Sequence, residues 1–146
     1  MPNTPGMSTS FKGDLLNGLH AFGASVIRAA TTKDVFNVAL YTTGANITVA
    51  TTAYTPTGEA SGTGYSAGGI ALTNGSAPTI NGTSYYWTPS ASAVWSGLTA
   101  GPFDTCLVYN NTATGKNAVA SFGLSTQSIT AGTLTLTMPS QLITIS

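Results

Sequence analysis

The chain has 146 residues, four basic and four acidic side chains, and a formal net charge of zero. Its charged share of 5%, against about 25% in ordinary soluble domains, excludes recognition by grouped charge: Lys12, Arg28, Lys33 and Lys116 are scattered, whereas a phosphate backbone needs clustered cations. Hydrophobic residues make up 42%, enough apolar side chain to offset the ordering entropy, so the chain reads as one folded domain over 11–146 with a surface of hydroxyls and amides.

Residues 1–10, MPNTPGMSTS, carry two prolines and a glycine without periodicity and read as a flexible N-terminal arm. They lack the apolar core of a secretory signal, so export by that route is not expected. No apolar run approaches about 18 residues, and no membrane partner is expected. Ser10 suits an N-cap, and Phe11, Leu15, Leu16, Leu19 and Phe22 recur at helical spacing, which predicts one short helix over 11–21. Gly13 and Gly18 weaken it by about 1 kcal/mol each relative to alanine. His20, the single histidine, falls near its C-terminal end, where a histidine complements the helix dipole without chemistry.

From Asp34 the period changes. Val35, Phe36, Val38, Leu40 and Tyr41 are strand formers, with Val38 and Leu40 on one face and Asn37 on the other. Ile47 to Val49 is a possible edge piece ahead of the turn at Pro56-Thr57-Gly58.

The next stretch, Glu59 to Leu72 (EASGTGYSAGGIAL), matches two active-site patterns. Gly64-Tyr65-Ser66-Ala67-Gly68 fits the G-x-S-x-G nucleophile elbow, and Gly62-x-Gly64-x-x-Ala67 fits the dinucleotide fingerprint. The elbow needs a helix after the serine and a histidine later in the chain; here His20 precedes Ser66 and Ile70-Ala71-Leu72-Thr73 reads as strand. The fingerprint needs a helix facing the pyrophosphate and an acid about 20 residues on; no Asp or Glu lies between Glu59 and Asp104. The expectation is a Gly-rich crossing segment, in which Gly62, Gly64, Gly68 and Gly69 permit a crossing or bulge between sheets, Tyr65 anchors, and Ile70 and Leu72 re-enter the core.

Asn74-Gly75 and Asn81-Gly82 are turn signals around Pro78 to Ile80. Tyr85-Tyr86-Trp87 and Val94-Trp95 predict two short aromatic strands. Phe103 to Tyr109 is a further strand, and Asn110 to Lys116 a hairpin loop into Ala118 to Phe122. Leu134, Leu136 and Met138 alternate with threonines, one face buried and one wet, and Leu142 to Ile145 is a candidate closing strand. Cys106, the only cysteine, rules out an intramolecular disulfide and a four-cysteine zinc site and reads as a small buried hydrophobe. N-x-S/T sequons at Asn46, Asn74, Asn81 and Asn110 are expected by chance in so Ser/Thr-rich a chain.

Short strands about 8–12 residues apart, joined by Gly, Asn and Pro turns, predict a mainly β fold: an antiparallel β-sandwich or jelly-roll-like barrel with one short N-terminal helix. The carboxylates, Asp14, Asp34, Glu59 and Asp104, are widely spaced, and no catalytic, cofactor-binding or metal-ligating residue is assigned.

The succession FKGDLLNGLHAF, DVFNVALYTTGANIT, EASGTGYSAGGIAL, AVWSG and CLVYNNTATGKNAVASFGL resembles a group of small virion proteins of tailed bacteriophages, over Phe11 to about Pro139. The resemblance implies a β-rich structural subunit of the particle, without enzymatic activity or cofactor. Its expected place is the virion, assembled in the host cytoplasm: a capsid decoration (cement) protein, or a small tail, fibre or baseplate component. The expected partners are the major capsid protein or other virion proteins and further copies of the chain, a trimer being favoured; no nucleic acid is expected. A glycan-binding module is the alternative, motivated by Tyr65, Tyr85, Tyr86, Trp87 and Trp95. Against it, Val94 and Leu98 beside the tryptophans favour a core role for Trp87 and Trp95.

Overall fold

The structure, a computed structural model, describes residues 7, 13, 15–18, 32–48, 50–74 and 77–146. It is mainly β, in antiparallel sheets, one of them strongly curled into a half-barrel. In chain order the strands are β1 (Phe36–Thr42), β2 (Gly62–Thr63), β3 (Ile70–Ala71), β4 (Thr79–Asn81), β5 (Ser84–Trp87), β6 (Ala93–Asn110), β7 (Ala118–Leu136) and β8 (Ile143–Ile145). The chain divides into two compact units, one of residues 34–73 with 91–137, the other of 1–33, 74–90 and 138–146.

The first unit holds a five-stranded sheet in the order β2-β6-β1-β3, with β7 on β6. β1 is a run of β-branched, aromatic and aliphatic residues, and it pairs with the C-terminal half of β6, Val38 opposite Val108 and Leu40 opposite Cys106. Val38, Ala39, Leu40 and Tyr41 are all fully buried. The sequence expectation put Val38 and Leu40 on one face and Asn37 on the other; with Ala39 and Tyr41 buried as well, β1 is covered on both faces, as a central strand is. On one face Ala39, Tyr41, Leu107 and Tyr109 form a cluster capped by Ala45, Ile47 and Tyr54. Ile47 and Thr48 belong to no strand; this segment serves as cover for the sheet, and Val49 lies outside the described residues.

β6 and β7 form a long antiparallel ribbon joined by the loop from Asn110, as expected from the Asn/Thr/Gly run. Asn110 Oδ1 accepts from the Thr112 and Ala113 amides at 3.0 Å each, an Asx-type closure, and Asn110 Nδ2 donates to Asp34 Oδ2 at 2.6 Å. Both strands are longer than the sequence suggested. Val94-Trp95 and Phe103–Tyr109 are one strand running through Gly101-Pro102, and Ala118–Phe122 continues to Leu136. The joins are irregular: the β6–β7 register shifts repeatedly between Trp95 and Thr105, and Ala131 holds a positive φ of 48°. Bulges of this kind break the period-2 pattern on which a sequence reading depends.

The second unit contains a three-stranded sheet, β4-β5-β8. β4 and β5 form a hairpin in which Asn81 faces Ser84 across Gly82-Thr83, the turn expected from Asn81-Gly82. β8 pairs with β5, Trp87 opposite Ile143. The helix expected over 11–21 is not seen as an element among the described residues. Gly13, Leu15 and Leu16 form a single turn, in which the Asn17 amide donates to the Gly13 carbonyl at 3.0 Å. The rest of the span, His20 included, lies outside them.

Candidate functional site

The stretch from Glu59 to Leu72 crosses the sheet of the first unit. Gly62 and Thr63 pair with Ala100 and Thr99 of β6, and Ile70 and Ala71 pair with Val38 and Asn37 of β1. The crossing therefore joins two strands of one sheet, where the sequence suggested a passage between sheets. Gly62, Gly64, Gly68 and Gly69 all hold positive φ, at 146°, 75°, 87° and 69°. At three of them space as well as torsion demands glycine: a Cβ on Gly62 would strike the Thr99 carbonyl oxygen, one on Gly64 the Gly97 carbonyl oxygen, and one on Gly69 the Val38 carbonyl oxygen. Only a bare backbone lies this close to a neighbouring strand.

Glu59 fastens the segment. One carboxylate oxygen, Oε1, accepts from the Tyr65 hydroxyl at 2.8 Å and the Gly68 amide at 2.7 Å. The other, Oε2, accepts from the Tyr54 hydroxyl at 2.7 Å. The Tyr65 oxygen in turn accepts from the Leu40 amide of β1 at 2.9 Å, and its ring stacks on Trp95 of β6 with centroids 6.3 Å apart. Tyr65 thus anchors the crossing to both strands, as expected. Nearby, Tyr109 donates to the Gly68 carbonyl at 2.8 Å, where Asn37 Nδ2 also donates at 3.1 Å, and Tyr41 donates to the Thr55 carbonyl at 2.7 Å. Tyr54 stacks on Tyr109 at 4.8 Å with the Lys116 ammonium 5.4 Å from its ring centroid, close enough for a cation–π attraction.

These contacts set the acid–base character of the cluster. Burial pushes the Tyr41 hydroxyl up to about 12, with the Glu59 charge adding to the effect. Burial, reinforced by the hydrogen bond each makes to Glu59, raises Tyr54 and Tyr65, and burial raises Tyr109. A carboxylate beside a phenol favours the neutral phenol, so the four hydroxyls remain donors through the neutral range. The carboxylate's oxygens are taken up by three donors. The arrangement holds backbone in place, and none of its groups is a phenolate or a free base.

Neither catalytic pattern survives in its context. Ser66 is exposed in a turn closed by the Gly69 amide donating to the Ser66 carbonyl at 2.9 Å, and the chain then enters β3. Among the described residues no helix follows Ser66 to form an elbow or to face a pyrophosphate. Cys106 is buried, as expected, and burial pushes its thiol up to about 11, the reverse of an activated nucleophile. No group of three or more His, Cys, Asp or Glu side chains able to hold a metal occurs among the described residues.

The aromatic residues divide. Trp95 is 2% exposed, in agreement with the core role expected. Tyr85, Tyr86 and Trp87 on β5 are half-buried, and the Tyr85 ring lies so close to Gly13 that a Cβ there would sit 2.5 Å from it. Sequence reasoning named Glu59 as the start of the Gly-rich stretch and as one of four widely spaced carboxylates, pairable at most with Asp104, and gave it no structural role. Tyr41, Tyr54 and Tyr109 went unassigned because their partners are backbone carbonyls and a carboxylate supplied by distant segments. No protein-family model, characterised protein or solved structure matches this chain.

Proposed function

We propose that this chain is a non-enzymatic structural subunit of a bacteriophage virion, most concretely a capsid decoration protein that stabilises the head lattice by binding the major capsid protein. The observation that carries the reading is the surface of β7. Its exposed positions are Gly123, Ser125, Thr126, Gln127, Ser128, Thr130, Ala131, Thr133 and Thr135, a run of hydroxyls, amide and small residues without a charge. Such a surface carries no like-charge repulsion between repeated copies, which suits close and regular contact. The resemblance of the sequence to small virion proteins supports the same reading, as does the Glu59 crossing, whose polar groups are spent on rigidity. The sandwich or jelly-roll closure expected from the strand spacing belongs to this proposal: a curled sheet is completed by what it packs against in the particle.

The test is co-sedimentation of the purified chain with empty capsids of the phage that carries it, followed by heating. Saturable binding and a raised disruption temperature are expected; a chain left in the supernatant refutes the decoration role. A tail or fibre position remains the second structural reading, decided by location in the particle. The half-buried Tyr86 and Trp87 on β5 motivate a glycan-binding reading, since exposed aromatic rings serve as sugar platforms. A silent glycan array with both tryptophans shielded from quencher removes it.

A further inference from the structure

We infer that β7 pairs, antiparallel and about a twofold axis, with β7 of a second copy of this chain. The outer edge of β7 already accepts a strand within the molecule. The Ala118 amide donates to the Thr52 carbonyl at 2.9 Å and the Tyr54 amide to the Lys116 carbonyl at 2.9 Å, around an antiparallel bridge between Ala53 and Asn117. Past Ala118 this cover stops. Among the described strands β7 pairs only with β6, so from 119 onward no described strand covers its other edge. Beside the bridged stretch, Thr48 and Thr51 line a cavity of about 310 Å³ together with Leu107, Ala118, Ala120 and Ser121 among others.

Two features choose the occupant. β7 contains neither a charged residue nor a proline, two of the devices by which free edges ordinarily resist pairing with their own kind. Antiparallel self-pairing therefore brings no like charges together, and about Gly123 it sets Ser121 opposite Ser125 and Phe122 opposite Leu124. The other strands that end a sheet are β2, β3, β4 and β8, each only two or three residues long. A head-to-tail ring would have to match the long edge of β7 with one of these stubs, whereas a twofold contact uses the long edge on both sides and closes on itself. The twofold pair thus replaces the trimer favoured on sequence grounds. Register is regular where 105–108 face 120–123, which places the contact around Gly123. The inference rests on this edge and holds whether or not the chain binds capsids.

The test is sedimentation equilibrium of the full chain over a concentration series, with the double variant Gly123→Lys, Ser125→Lys. Both positions are exposed, and a Cβ on Gly123 meets nothing within 4 Å, so the fold accommodates the change. The wild type is expected to reach twice its 14.7 kDa mass. The double variant is expected to stay at 14.7 kDa, and Thr57→Lys, a single lysine added on a loop, to dimerise as wild type does. A wild type that stays monomeric, forms trimers or open-ended aggregates, or a double variant that dimerises undiminished, overturns the inference. Amide exchange on the wild type gives a second reading independent of any variant: protection over 119–125 that rises with concentration is expected, and its absence overturns the pairing. Capsid co-sedimentation is read separately, so either result can fail alone.

Discussion

Replacing Glu59 by alanine removes the acceptor of three hydrogen bonds at once, from Tyr54, Tyr65 and the Gly68 amide. Hydrogen bonds to a charged acceptor contribute about 1.5–3 kcal/mol each, and a donor left unsatisfied costs about 1–3 kcal/mol. Full burial would put the sum at about 5–9 kcal/mol. Glu59 is only half-buried and the three bonds share one group, so water access and non-additivity reduce the expected loss to about 2–4 kcal/mol. Glu59→Gln keeps one carbonyl oxygen for Tyr65 and Gly68, and the Tyr54 hydroxyl can turn to accept from the new amide. That variant should lose only about 1 kcal/mol. The assay is urea unfolding, in which a loss of 3 kcal/mol moves the midpoint by about 1–3 M, combined with amide exchange at Gly68 and Leu40. Alanine should speed exchange at both amides, because Tyr65 loses the partner that orients its oxygen toward Leu40. An alanine variant within about 0.5 kcal/mol of wild type, the range of an ordinary surface change, would refute the claim that Glu59 fastens the crossing.

Two further predictions follow from the same region. Gly69→Ala forces a Cβ against the Val38 carbonyl at a positive φ and should cost about 2 kcal/mol or more, while Gly44→Ala, where a Cβ meets nothing within 4 Å, should lie within about 0.5 kcal/mol of wild type; thermal melts of the pair read the contrast. The raised phenols predict alkaline instability: below the ordinary phenol value of 10.0 folded and unfolded chains are equally protonated at these groups, and above it the unfolded chain releases protons that the folded chain retains. Stability should then fall as pH rises, by up to about 1.4 kcal/mol per pH unit for a buried phenol, which for Tyr41 amounts to about 3 kcal/mol between pH 10 and about 12. Urea midpoints at pH 9, 10 and 11 should be flat at first and then drop; a constant midpoint contradicts the assignment.

Much of the β framework is legible in residue order because it follows period and turn chemistry. β1, the Asn81-Gly82 hairpin, the loop from Asn110 and the buried Cys106 were each expected from local residues. The Gly-rich crossing was legible too, because close backbone approach leaves a glycine signature wherever it occurs. The length of β6 and β7 was not: Gly101-Pro102 and the run from Gly123 to Gly132 look like breaks, and pairing along the ribbon overrides them. The Glu59 network escaped for a different reason. Its members at 37, 41, 54, 59, 65, 68 and 109 are brought together by sheet register, and no spacing in a linear sequence encodes a hydrogen bond from a tyrosine to a backbone carbonyl far along the chain.

In the proposed role this chain works by position, as a joint in a particle lattice. A cryo-electron-microscopy reconstruction of the intact virion tests it most directly. The account predicts density for the curled sheet on the outer head surface, at the seams between capsid subunits and repeated over the shell. Density confined to the tail or a fibre, or a head lattice that lacks the chain altogether, would contradict it.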